Sequence, residues 1–268
     1  MKRRDTRLKI EKAIEDRQIS RRYSRRLGPS AIGGKCARAT WYKFRWASRQ
    51  MISPRQKRLF SRGDREEPIV LADLESVGVK ILSTQEYKGF CNGHACAFSD
   101  GRIIGVHDAP KTEHLLEIKT ANKKRFENLL SCKSFKKWDS GYYDQIQVYM
   151  DIFGLTRCLV IVASKDDDRR YYERVKYDQP HAKILMQKFN ALIYAKRPPQ
   201  RNGEGAFEYP CIFCDYQSVC WTSKPDRNCR TCSHLEPVEN GEWLCLKKGK
   251  RRSIKKQHKA CGQYRPNC

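Results

Sequence analysis

Apolar positions along this chain change their spacing several times, and each change marks a different kind of element. In the basic stretch from Met1 to Arg26, Leu8, Ile10 and Ile14 are the main apolar anchors of a weakly amphipathic helix, which Gly28-Pro29-Ser30 and Gly33-Gly34 break. A second helix is expected from about Cys36 to Ala47, with Trp41, Phe44 and Trp46 available for packing. Pro54 separates it from Lys57–Val77, where Phe60, Gly63, Val70, Leu71 and Leu74 fall near helical spacing. Pro68 suits the start of a separate helix within that segment, and Gly78 suits its C-terminal stop.

The pattern then turns strand-like. Val79–Tyr87, Phe90–Phe98, Arg102–His107 and His114–Lys119 are short, alternating or branched, and split by turns such as Ser99-Asp100-Gly101. Two helices carrying Leu129, Leu130, Tyr143, Ile146 and Met150 follow. Two strands, Arg157–Ala163 and Tyr171–Lys176, are joined by the polar turn Lys165–Arg169, and a helix from Pro180 to Ala195 closes the body. This order argues an α/β or α+β fold with a central mixed β-sheet flanked by helices. After Pro198-Pro199 the texture shifts: residues 200–268 hold eight of the thirteen cysteines and few aliphatics. Such a segment cannot build a large apolar core and is expected to fold around metal. Three parts result: a basic N-terminal helix over 1–29, a main body over 30–221 and a cysteine-rich basic appendage over 222–268.

Charge narrows the partners. The 268 residues carry 55 Lys and Arg against 30 Asp and Glu, a net +25, which points to a polyanion whose counterions are released on binding. No apolar leader follows the basic N-terminus and no apolar run is long enough to span a bilayer, so the chain is expected to remain in the compartment where it is made, the cytoplasm, with a polyanion rather than a membrane as its partner. In a reducing compartment clustered cysteines read as metal ligands rather than disulfides. The scattered Cys91, Cys96, Cys132 and Cys158 read as small core residues.

The chemistry is concentrated in Gly101–Asp108 and Leu115–Lys119. Glu117 and Lys119 are two apart, so on a strand they share a face while Ile118 points the other way. Asp108 ends the preceding strand, and the eight-residue connection that follows can bring it beside Glu117. Two carboxylates on one face suit Mg²⁺ or Mn²⁺, and an adjacent ammonium could orient an attacking water or offset charge growing on a phosphate. The plainer reading is an exposed strand pair beside a turn aspartate. Gln145 and Tyr149, an i, i+4 pair on one helix face, favour the catalytic reading.

Gly105-x-x-Asp108, Glu117-Ile118-Lys119 and Gln145-x-x-x-Tyr149 together resemble the RecB-like branch of the PD-(D/E)XK nucleases. The resemblance, which covers about residues 30–221, implies a restriction-endonuclease-like core that hydrolyses DNA with Mg²⁺ or Mn²⁺. It implies that Asp108, Glu117 and the Ile118 main chain hold the metal, that Lys119 assists the water, and that Gln145 and Tyr149 contact the DNA strand. Leu59-Phe60-x-x-Gly63-x-x-x-Glu67 resembles the family's helical Gly…Glu motif, whose acid can reach the metal; Glu66 competes with Glu67 for that role. Asp64 stands where many relatives carry a histidine ligand, and the nearby His107 is expected to be a bystander.

Cys211-x-x-Cys214-x(5)-Cys220 supplies three thiols, and Cys36 is the candidate fourth. Spacing alone suits zinc as well as iron. One distant N-terminal cysteine with a C-terminal C-x2-C-x5-C is similar to iron–sulfur nucleases of this superfamily, including AddB-type subunits, CRISPR-associated adaptation exonucleases and phage-encoded relatives. That likeness implies a structural 4Fe–4S cluster clasping the chain ends. It also implies an exonuclease on single-stranded or end-containing DNA, working with recombination, end-processing or spacer-acquisition proteins. Beyond Trp221 the likeness ends. Cys229-x-x-Cys232, Cys245 and Cys261 have the pattern of a small zinc ribbon, with Cys268, His234 and His258 as alternates, serving as a staple or as a basic DNA-binding appendage through Lys247–Lys259. The rival expectation is a metal-stapled DNA-binding protein of the same fold without catalysis.

Overall fold

The computed structural model describes residues 6–18, 20–34 and 36–267. Helix α1 (Thr6–Gln18) leads into β1 (Ser20–Arg22), which pairs antiparallel with β2 (Gln50–Ile52) across α2 (Ala37–Arg45). Leu8 and Ile10 on α1 are exposed, so they do not anchor it as the apolar pattern suggests. Helix α3 (Pro54–Ser76) runs unbroken through Pro68 instead of restarting there. Its start is fixed by a capping box between Ser53 and Gln56, and burial of Val70 and Leu74 carries it past the proline.

Strands β3 (Lys80–Ser83), β4 (Tyr87–Phe90), β5 (Ala95–Phe98), β6 (Gly101–Ile104) and β7 (His114–Ala121) follow. The segment Phe90–Phe98 is not one strand: β4 and β5 are a hairpin whose turn uses left-handed backbone at Cys91, Asn92 and Gly93. Helices α4 (Lys123–Cys132), α5 (Phe135–Trp138) and α6 (Ser140–Phe153) then cross to β8 (Arg157–Ser164) and β9 (Arg170–Lys176), and α7 (Gln179–Tyr194) closes the body. The main sheet has the order β3-β6-β7-β8-β9, with β7 and β8 parallel and the other pairs antiparallel. The fold is therefore the mixed α/β sheet flanked by helices that the sequence predicts.

Alternation splits this sheet into two faces. Leu115, Cys158, Val160 and Val162 pack under α4, α5 and α6, while Leu116, Ile118, Leu159 and Ile161 pack with Val70 and Leu74 of α3. Gly33, in the loop before α2, lies backbone on backbone against Gly141 at the start of α6; a Cβ on Gly33 would stand 2.4 Å from the Gly141 carbonyl oxygen.

The chain beyond α7 contains α8 (Gln217–Trp221), a three-stranded sheet of β10 (Leu235–Pro237), β11 (Trp243–Cys245) and β12 (Lys250–Arg251), and α9 (Ile254–Gln257). Its buried Leu235 and Trp243 share one core cluster with Trp41, Phe44 and Phe189. Two arginines fasten this seam. Arg230, 1 % exposed, lies 4.0 Å from the Trp46 ring and 4.5 Å from the Trp243 ring, and donates to the carbonyls of Phe44 and Arg25 and to Gln257 Oε1. Arg45 donates to the Leu235 and Ala195 carbonyls. No helix among the described residues is long and apolar enough to cross a membrane.

Candidate active site

The hairpin of β6 and β7 builds the site. Gly101 pairs with Leu116, and one further step along the same antiparallel register sets Asp100 across from Glu117. Asp100 Oδ2 accepts the Ile118 backbone N–H at 2.8 Å, which locks the carboxylate against β7. Glu117, 1 % exposed, forms an ion pair with Lys119 and accepts from Gln145 Nε2 at 3.1 Å. Tyr149, one turn further along α6, is buried beside the same groups and hydrogen-bonds Gln145. The structure thus brings together Glu117, Ile118, Lys119, Gln145 and Tyr149 as the sequence predicts.

Asp108 is not with them. It lies in the β6–β7 connection with its side chain 70 % exposed, 3.6 Å from His107 and 3.8 Å from Arg174. Arg174 pairs with Leu159 in the sheet and Leu159 with Leu116, so Asp108 lies over the opposite face from Glu117, in a shallow groove with Leu74, Val79 and Tyr172. The physical reason is register. Residues 105–113 are spent on turns between the two strands, and the carboxylate beside Glu117 comes from before β6, not after it. The only trace of Asp100 in the sequence is Ser99-Asp100-Gly101, which reads as a turn when the pairing is unknown. His107, wholly exposed, lies beside Asp108 on that same side.

Helix α3 contributes from the edge. Glu67 feels the charges of Asp100 and Lys119 and accepts from Gln85 Nε2 at 3.0 Å. Glu66 points elsewhere and pairs with Arg170 on β9 at 3.5 Å. Asp64 lies one turn before Glu67 and adds negative charge there. Lys119 also lies 5.0 Å from the centre of the Tyr142 ring, an aromatic support that sequence reading missed.

Electrostatics fit a cation site. Burial, then the Asp100 charge, push the Glu117 carboxyl up to about 7, against the pull of Lys119. Burial raises Asp100 as well, and burial followed by the Asp100 and Asp64 charges raises Glu67. Burial works against the Lys119 ammonium, but Glu117 and Asp100 more than offset it, so it stays protonated. Three carboxyls, each made harder to ionise by its surroundings, form an oxygen set suited to a hard divalent ion. Among the described residues no three His, Cys, Asp or Glu side chains are gathered closely enough to hold an ion as they stand. Here Glu117 is engaged by Lys119 and Gln145, and Asp100 by the Ile118 amide.

The cysteines fall into two groups. Cys36, Cys211, Cys214 and Cys220 line one cavity of about 290 Å³, with the Tyr216 N–H donating to Cys214 Sγ at 3.4 Å. Cys229, Cys232, Cys245 and Cys261 line a second of about 20 Å³, together with His234. His258 stacks on Trp46 at 4.7 Å as a packing group, and Cys268 lies outside the described residues. Of the scattered cysteines Cys158 is fully buried, whereas Cys91, Cys96 and Cys132 are partly so.

No family model matches the sequence, and no curated protein matches it. Among solved structures the chain is similar to the alkaline exonuclease LHK-Exo from Laribacter hongkongensis, at 17 % identity and a TM-score of 0.48 over 63 % of this chain and 86 % of that one. LHK-Exo in complex with dAMP aligns over the same shares at 16 % identity and a TM-score of 0.47. A protein called SSO0001 aligns over 81 % of this chain and 96 % of its own at 14 % identity and a TM-score of 0.43.

Proposed function

We propose that this chain is a divalent-metal-dependent DNA nuclease of the PD-(D/E)XK type, acting as an exonuclease on single-stranded or end-containing DNA. The observation that carries the proposal is the convergence of Asp100, Glu117 and Lys119 on one sheet face, with Glu67 and Gln145 closing on them. In this reading Asp100 takes the role that the sequence pattern assigned to Asp108.

Asp100, Glu117 and the Ile118 main chain would hold Mg²⁺ or Mn²⁺, with Glu67 at its edge. The ion, when bound, would polarise a phosphodiester oxygen and acidify a water. Lys119 remains a cation at neutral pH, so it serves as a fixed positive charge for the phosphate and an orienter of water, not as a base. Gln145 keeps one Glu117 oxygen in place, and Tyr149 backs Gln145 from the helix. The net charge of +25 supplies the general attraction to DNA.

The first cysteine quartet suits a 4Fe–4S cluster in its chemistry, because Cys36, Cys211, Cys214 and Cys220 supply four thiols to one cavity. Iron and acid-labile sulfide should appear together in the purified chain and fall together in Cys36→Ser.

The decisive experiment incubates end-labelled DNA with Mg²⁺ or Mn²⁺. Asp100→Ala, Glu117→Ala and Lys119→Ala should each lose at least ~100-fold in rate, the scale of removing one group that stabilises a transition state. Asp108→Ala should stay within about twofold of the parent, as expected for an exposed side chain away from the reacting centre. A chain that binds DNA but cuts none would instead be a metal-stapled binding protein. Full activity in Asp100→Ala would remove the proposal.

A further inference from the structure

The cysteines beyond Trp221 take no part in the reaction proposed above, yet their surroundings are those of a metal centre. We propose that Cys229, Cys232, Cys245 and Cys261 bind a single zinc ion and that this ion holds Arg230 in the core.

Several observations support it. The four thiols come from three separate stretches of chain and line one cavity of about 20 Å³, close to the ~10–15 Å³ that one water-sized probe occupies. Each cysteine opens a tight turn: the amides of Cys232, Leu235, Lys248 and Tyr264 donate to the carbonyls of Cys229, Cys232, Cys245 and Cys261 at 3.0, 3.0, 3.2 and 3.1 Å. Pairing of Leu235 with Cys245 then sets the loop that ends at Cys232 beside the one that starts at Cys245.

Charge agrees as well. A divalent ion with four thiolates carries two negative charges, and Lys247, Lys248 and Arg252 line the same cavity. Lastly, the small sheet has no centre of its own, since its buried Leu235 and Trp243 belong to the core cluster with Trp41 and Phe44. The sulfurs are not drawn together as they stand, so binding would close them by rotation of the cysteine side chains.

Arg230 sits inside the turn between the first two cysteines, where it stacks between Trp46 and Trp243 and donates to the Phe44 and Arg25 carbonyls. An ion that fixes this turn fixes the arginine with it.

The test uses the full chain produced with zinc. Metal analysis should give one zinc per chain in the parent and in Cys36→Ser, and none in the double variant Cys245→Ser/Cys261→Ser. Should the double variant fail to fold, cobalt(II) exchange into the parent decides instead, with the visible bands of a tetrahedral thiolate site expected at one equivalent. Chelation should move tryptophan emission to the red as Trp46 and Trp243 lose Arg230. A parent without zinc and without those cobalt bands overturns the proposal. So does zinc that survives in the double variant or that leaves with Cys36→Ser. Tryptophan emission indifferent to chelation overturns the link to Arg230. None of these readouts depends on nuclease activity.

Discussion

Glu117 decides the chemistry of this site by its protonation. Burial and the neighbouring Asp100 charge hold its carboxyl at about 7, well above the ordinary carboxylate range. A divalent ion must displace that proton, so cleavage at limiting Mn²⁺ should climb as pH rises through about 7 and level off above it. More Mn²⁺ should move the midpoint to lower pH; a rate that is flat across neutrality at limiting metal would contradict this. The sign for stability is opposite. A carboxyl whose pKa is raised by folding favours the folded chain while protonated, and that contribution fades as pH rises from the ordinary carboxylate range through about 7. Metal-free protein should therefore unfold at lower denaturant in mildly alkaline buffer than in mildly acid buffer, and added Mn²⁺ should reverse the order. The Glu117–Lys119 pair was legible because a two-residue step on a strand fixes a shared face. Asp100 was not, because the register of a hairpin is decided by its turn, and the nine connecting residues hold Asp108, which the pattern chose when the pairing was unknown.

Among the elements, α3 shows how a helix face sorts two adjacent acids. Glu67 turns toward Asp100 and Lys119, whereas Glu66 turns toward Arg170 on the far strand. Glu67→Gln should reduce cleavage about tenfold or more, on the scale of losing part of a metal's ligand field. Glu66→Gln should leave the rate near the parent and cost under about 1 kcal/mol of stability, as for a partly exposed ion pair. Rate assays and denaturant midpoints on the two variants separate the roles. The sequence carried the existence and type of most elements through periodicity. It misled where one local signal was over-read: Pro68 suggested a restart that tertiary packing overrides, and the run Phe90–Phe98 concealed a turn whose left-handed residues include the non-glycines Cys91 and Asn92.

For the whole molecule, the division into a body and an appendage dissolves at the seam between α2 and the C-terminal sheet. Composition alone marked residues 200–268 as poor in aliphatic groups, but it could not show that Trp243 and Leu235 would complete the core of the N-terminal helices. Arg230→Met should lower unfolding stability by about 3 kcal/mol, because it strands the acceptors of a buried cation and leaves two indole faces without it. Urea denaturation followed by tryptophan fluorescence measures it. The long-range charge acts at this scale too. With a net +25, affinity for DNA should fall steeply and linearly on a logarithmic plot of salt.

The meeting of Gly33 and Gly141 has a mechanical meaning. Two bare backbones in contact leave no room for adjustment, so the loop leading to Cys36 acts as a doorstop against the first turn of α6. Four residues on from Gly141 stands the amide that steadies Glu117. Cys36 and Glu117 are therefore linked through one close backbone contact and one turn of α6.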